Sequence, residues 1–176
     1  MQCILQSKRL VFRKITENDF DALKVILQNE MTMYAWEHAF SDEEIKQWIT
    51  KNIERYHCDG FSYFLVSTKE SKEIIGVAGP LIERIGDDKF VGIAYIIDNK
   101  YWGRGFGFES AKASLDYAFE ILKAEKVVAE IRPNNTSSRK IADKLNMKIQ
   151  FQFDKIYNGK ILPHLVYSIN KNAKNY

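Results

Sequence analysis

Cysteine is scarce in this 176-residue chain: its two thiols, Cys3 and Cys58, stand far apart, with neither a disulfide framework nor metal-ligand spacing around them. Reduced thiols and no metal are therefore expected. No apolar window approaches bilayer-spanning length, and no basic segment leads into a long apolar run at the N-terminus, which predicts a cytoplasmic protein without a membrane partner. Charge of one sign is not clustered either. The 26 basic and 23 acidic residues are interspersed and leave a net +3, which suits an anionic small ligand and argues against a nucleic-acid footprint. No linker or repeat interrupts the chain, so a single domain over residues 1–170 is expected, with a frayed tail over 171–176. A Gly-Lys-Ser or Gly-Lys-Thr triplet is missing, as is a G-x-G-x-x-G turn after the first strand. Those absences set aside a phosphate-loop hydrolase and a dinucleotide-dependent oxidoreductase.

What is present is an ordinary globular composition, 45% hydrophobic and 28% charged, enough to fold around a core without staples. Lys8–Lys14 reads as a first strand. Thr16 and Asp19 form a capping arrangement before Phe20, Leu23 and Leu27, and Ser41 with Glu44 forms another before Ile45, Trp48, Ile49 and Ile53, each set spaced for one helix face. Strands are predicted over Phe61–Ser67, Ile74–Ile82, Phe90–Ile97 and Val127–Ile131. Glu109–Leu122 has the apolar stripe of a helix lying on a sheet, and a short helix is expected from the Pro133–Ser138 loop through Leu145. Lys148–Phe153 and Ile161–Ile169 read as strands joined around Asn158-Gly159.

The most informative segment is Tyr101-Trp102-Gly103-Arg104-Gly105-Phe106-Gly107-Phe108, where alternating glycines join a strand to a helix. Glycine permits positive φ and close backbone approach, and the first helical turn offers N–H groups without intrahelical partners. Such a turn binds a pyrophosphate.

Placed in this order, the elements resemble the GCN5-related N-acetyltransferase (GNAT) superfamily, most closely the branch that includes ribosomal-protein alanine acetyltransferases. The resemblance rests on Asp98 to Gly107 and on Asn135-Thr136-Ser137-Ser138-Arg139 through Leu145, and it covers nearly the whole chain. It implies an α/β (α+β) fold with a mixed, strongly twisted sheet of about seven strands and about four helices. It also implies acetyl-CoA as co-substrate and an amine acceptor, either a peptide or protein N-terminus or a small amine, attacked directly in a ternary complex. Trp102 replaces the superfamily's usual glutamine or arginine, and Asn146-Met147 replaces its Gly-Phe, with asparagine able to keep the left-handed cap. Many relatives carry a glutamate on the strand that here reads Gly92-Ile93-Ala94-Tyr95.

On this reading the backbone of Ile96 and Ile97 meets the pantetheine arm, and Arg104, Gly105, Phe106, Gly107 and Phe108 hold the pyrophosphate, although Arg104 is equally a solvated turn cation. Asn135 binds the pantetheine amide or caps the helix, and Ser138 serves the departing thiolate or the same cap. Gly92 permits a bulge that would splay its strand from Val127–Ile131 and aim an N–H at the thioester oxygen, or it simply eases packing. For the base that deprotonates the amine, Glu37 and His38 in the loop bordering the acceptor site are candidates, beside Glu83, Glu130 and His164. Cys58 as an acyl carrier lacks an activating partner. The rival from another class is a catalytically silent acetyl-CoA-binding module, and both monomer and homodimer are compatible with the sequence.

Overall fold

The computed structural model describes residues 3–157 and 159–173. The chain begins with β1 (Cys3–Gln6), β2 (Leu10–Lys14), α1 (Phe20–Leu27) and α2 (Asp42–Cys58), followed by the meander β3 (Phe64–Thr68), β4 (Ile74–Ile85) and β5 (Asp88–Ile97). Then come α3 (Phe106–Glu120), β6 (Lys126–Ile131), α4 (Thr136–Lys144), β7 (Lys148–Tyr157) and β8 (Lys160–Asn170). All eight strands form one sheet in the order β1-β2-β3-β4-β5-β6-β8-β7, antiparallel except for the β5–β6 pair. The strand beyond the expected seven is β1. Its four residues are too few to display an alternating pattern, and it is fixed only by pairing with β2, as in Leu5 opposite Phe12. Lys8 and Arg9 lie in the turn between the two rather than in a strand.

Local signals explain the helix starts. Ser41 accepts the Glu44 N–H at 3.3 Å while the Glu44 carboxylate accepts the Ser41 N–H at 2.8 Å, the reciprocal bonds of a capping box. Asn146 takes φ 59° after α4, so asparagine does serve as the left-handed cap. On one face, Ala111, Leu115, Ala118 and Phe119 of α3 pack with Ile93, Val127, Ala129 and Ile131. On the other face lies the small cluster of Ile85, Val128 and Val166. Lys171–Ala173 form a 3-10 turn whose Lys171 N–H donates to the Glu125 carbonyl at 2.9 Å. Asn158 of the expected hairpin turn and residues 174–176 of the expected tail lie outside the described residues. No described helix is long and apolar enough to cross a membrane.

The feature that makes a site is the parting of β5 from β6. They pair only at Val91 with Val127 and Gly92 with Val128. Beyond these, β5 stays with β4 up to Ile97 opposite Gly76, and β6 stays with β8 up to Ile131 opposite Leu165. Each strand follows its other neighbour, and sheet twist carries the two apart. The bulge expected at Gly92 is not there. The β4–β5 register runs unbroken from Gly76–Ile97 to Ile85–Asp88, so the splay needs no extra residue, and no bulge turns an N–H toward a ligand.

Asp19 fastens the start of α1. Its carboxylate receives both Arg13 guanidinium nitrogens, at 2.6 and 2.8 Å, and the Thr16 N–H at 2.8 Å. Burial pushes this carboxyl up, but Arg13 and Thr16 outweigh it and hold the group below its usual range. A depressed carboxyl contributes stability above its unfolded-state pKa and loses it as pH falls through the folded value. Asp19→Asn should therefore cost about 2 kcal/mol at neutral pH in urea unfolding, with the gap to the wild type closing below about pH 4.

Candidate functional site

The glycine turn folds as its composition demands. Gly103 and Gly105 take φ 73° and 79°, and Gly105 is the residue immediately before α3. The first backbone bond of α3 runs from the Glu109 N–H to the Gly105 carbonyl at 3.1 Å, so the N–H groups of Phe106, Gly107 and Phe108 precede the intrahelical ladder. Gly107 faces the neighbouring helix closely, since a Cβ there would lie 3.2 Å from Ile141 Cδ1. The exposed Arg104 guanidinium sits over the Tyr101 and Phe106 rings, 5.7 and 5.3 Å from their centroids. Arg9 braces the turn by donating to the Arg104 carbonyl at 3.0 Å and pairing with Glu109 at 2.6 Å.

A cleft of about 270 Å³ opens between the parted strands, next to Gly107, where a Cβ would lie 4.0 Å from the cleft-lining Tyr95 ring. Ala94 and Tyr95 of β5, Ala129–Arg132 around the end of β6, and Asn135 and Ser138 around the start of α4 line it, with Trp36, Tyr63 and Leu162 at its apolar walls. Ile97 ends β5 beside the turn, and its carbonyl accepts the Trp102 indole N–H at 2.7 Å. The Ile96 carbonyl instead faces Gly76 on β4. Asn135 Oδ1 accepts both the Ser138 N–H at 3.0 Å and the Tyr34 hydroxyl at 2.7 Å. It is therefore the cap of α4 and a fastening point for the loop before α2. Tyr34 also meets Trp102 edge to face at 5.8 Å, which ties that loop to the glycine turn as well. Burial pushes the Tyr95 hydroxyl up to about 12, opposed by the adjacent Ser138. That hydroxyl has no well-formed hydrogen-bond partner among the described residues.

The far end of the cleft carries its charge. Glu83 on β4, Glu130 on β6 and Lys155 on β7 converge there, with Lys155 Nζ 2.6 Å from Glu130 and 3.8 Å from Glu83. Burial, then the Glu130 carboxylate, push the Glu83 carboxyl up to about 7 against the opposing pull of Lys155 and Arg55. His164 also lines the cleft. Burial lowers its pKa, and its Nδ1 lies 2.9 Å from the Leu162 carbonyl, an oxygen that can only accept, so Nδ1 carries the proton.

Of the residues singled out in the sequence, the structure brings Asn135, Ser138, Glu83, Glu130 and His164 to one cleft; Gly107 adjoins it, a Cβ there lying 4.0 Å from Tyr95 Cε2, whereas Arg104 and Phe106 line a separate hollow with Arg9 and Tyr101. Glu37 and His38 are not among the lining residues, although Glu37 contacts one of them. Glu37 pairs with Arg132 at 2.8 Å, which holds its carboxyl below the usual range, and His38 Nε2 lies 2.8 Å from Glu44; neither lines the cleft. Cys58 is the exposed last residue of α2 and is also outside it. Lys155, Tyr34 and Arg132 were not anticipated. Arg132 follows β6 directly, and Lys155 shares a face of β7 with Phe153, two residues before it, but only the fold shows what they face. No group of three or more metal-ligating side chains occurs among the described residues.

Comparison with known proteins fits this geometry. The acetyltransferase (GNAT) domain family matches residues 9–148. An uncharacterized N-acetyltransferase of Bacillus licheniformis, p20, is 28% identical over 147 residues, covering 82% of each chain. An acetyltransferase of the GNAT family from Bacillus anthracis superposes with a TM-score of 0.81 at 22% identity, over 96% of this chain and 98% of that one. RimL, a ribosomal L7/L12 alpha-N-protein acetyltransferase solved with coenzyme A, superposes with a TM-score of 0.78 at 22% identity, over 98% and 99%.

Gly105→Ala should cost about 1 kcal/mol of stability, because alanine is strained at φ 79°. If the turn relaxes, the N–H groups turn away, and calorimetric titration should show acetyl-CoA affinity falling about tenfold.

Proposed function

Because the chain belongs to the acetyltransferase (GNAT) family, we propose that it moves the acetyl group of acetyl-CoA to a primary amine held in the cleft between β5 and β6, by direct attack in a ternary complex. The observation that carries this reading is the parting of the two strands immediately beside the start of α3.

The residues fit acetyl-CoA on three counts. Early N–H groups of α3 and the positive end of its dipole meet the pyrophosphate, with Arg104 at the same turn. An amide-bearing pantetheine arm can add to the exposed edge of β5 as a strand would, using backbone groups of Tyr95 and Ile97 on the side away from β4. The buried Tyr95 hydroxyl and Ser138 then lie where a departing thiolate would seek hydrogen bonds. The acceptor enters from the opposite end, between Trp36, Tyr63 and Leu162, and meets the acidic pair. An α-amine at a peptide or protein terminus is the preferred acceptor, supported by the likeness to RimL; a small amine fits the same cleft.

A cysteine-linked acyl intermediate finds no support, since both thiols are exposed and neither lines the cleft. Thiol release should therefore require an added primary amine, with no burst before acceptor is supplied, and Cys3→Ala/Cys58→Ala should retain full activity. The measurement is acetyl-CoA-dependent thiol release against peptide N-termini, polyamines, amino acids and aminoglycosides. Acetyl-CoA binding without release to any of them would favour a silent binding module instead.

A further inference from the structure

Gly92 has a neighbour that explains it. A Cβ built there would collide with Glu83 Cγ and lie 3.5 Å from Val128 Cγ2. Glu83 pairs with Phe90 across the β4–β5 ladder, so Gly92 is its diagonal neighbour, two residues along on the same face. The Glu83 arm occupies the room that a side chain at position 92 would need. Gly92 is also the last residue of β5 paired with β6, so this arm stands at the head of the opening.

Charge is arranged unevenly around it. Two carboxylates share one ammonium, which sits closer to Glu130 than to Glu83. Glu130 Oε1 is buried and has no donor among the described residues. A proton held by Glu83 would supply that donor, so the pair has a place for one proton. Arg55, Tyr63 and His164 are the other titratable groups that bear on the pair.

We propose that Glu83, reaching across Gly92 from the adjacent strand, is the catalytic carboxylate that takes the proton of the acceptor ammonium, with Glu130 and Lys155 as its positioning residues. The proposal rests on the N-acetyltransfer reading above. The ammonium gives one proton to Glu83, and the nitrogen lone pair then forms the bond to the thioester carbonyl carbon. As the C–S bond breaks, its electron pair goes to sulfur, and the second proton lost by nitrogen ends on that sulfur. The products are amide and thiol, and Glu83 returns its proton to solvent.

The first test is isosteric. Glu83→Gln should lower kcat/KM about 100-fold or more while acetyl-CoA still raises the Tm. The second relocates the charge: Glu83→Ala/Gly92→Glu, which exchanges the long arm for one from the facing position, should recover at least about tenfold over Glu83→Ala. The third reads the pH profile with one acceptor throughout. Glu130→Gln removes a negative neighbour and should move the acidic limb of kcat/KM to lower pH; Lys155→Met removes a positive one and should move it to higher pH. Carbon-13 carboxyl titration of the whole enzyme reads Glu83 without turnover and should place it near neutrality. Activity of Glu83→Gln within about threefold of the wild type, a loss confined to His164→Gln, or a Glu83 carboxyl titrating in the ordinary range would each overturn the assignment. A wild type that transfers to no amine would overturn the function and the base together.

Discussion

The site depends on one constraint, that β5 and β6 each have a stronger partner than the other. Ten paired positions bind β5 to β4, six bind β6 to β8, and only two bind β5 to β6. A parallel pair so weakly joined cannot resist the divergence that twist imposes. The backbone polar groups uncovered there would normally be a liability, at about 1–3 kcal/mol for each buried one left unpaired. Here Trp102 takes the Ile97 carbonyl, and an amide-bearing ligand can take what lies beside it. The opening is built into the sheet, and its long flanking ladders keep it from collapsing.

Electrostatics in the opening follow from which strands reach it. β4, β6 and β7 each present one charged side chain to the same face, beyond the apolar cluster of Ile85, Val128 and Val166. A lone buried carboxylate would be costly and a matched pair would be inert, whereas two acids with one base leave the less tightly paired acid able to change its protonation state. Lys155 lies closer to Glu130 by more than 1 Å, and that asymmetry leaves Glu83 the less tightly paired of the two acids.

Much of this was legible before the structure. The capping box at Ser41, the helix stripe of α3, the meander and the glycine turn are local patterns, and each forms in its expected place, although α3 begins at Phe106 rather than Glu109 and β3 at Phe64 rather than Phe61. The family resemblance was legible for the same reason, since both of its motifs are contiguous. β1 was missed because four residues carry no readable period. The convergence of Glu83, Glu130 and Lys155 was illegible as a cluster because its members lie on three strands whose register the sequence does not state. For Gly92 the sequence leaves a bulge and a packing role open, because it shows what glycine permits, not which neighbour requires it. Its requirement comes from Glu83, nine residues away in sequence but adjacent across the ladder.

Asn135 shows why a choice between cap and ligand contact can be misplaced. Its oxygen is committed to the Ser138 N–H and the Tyr34 hydroxyl, while its amide nitrogen is a separate donor group on the same side chain. Fixing the oxygen fixes the plane of the amide, and so sets the direction in which that nitrogen can donate. Tyr34 in turn rests on Trp102, whose indole N–H holds the end of β5. The loop before α2, the glycine turn and the start of α4 are thus joined through three side chains at the mouth of the cleft. Displacing this loop must therefore also loosen the fixed amide and the end of β5, so the loop, the start of α4 and the end of β5 are mechanically coupled.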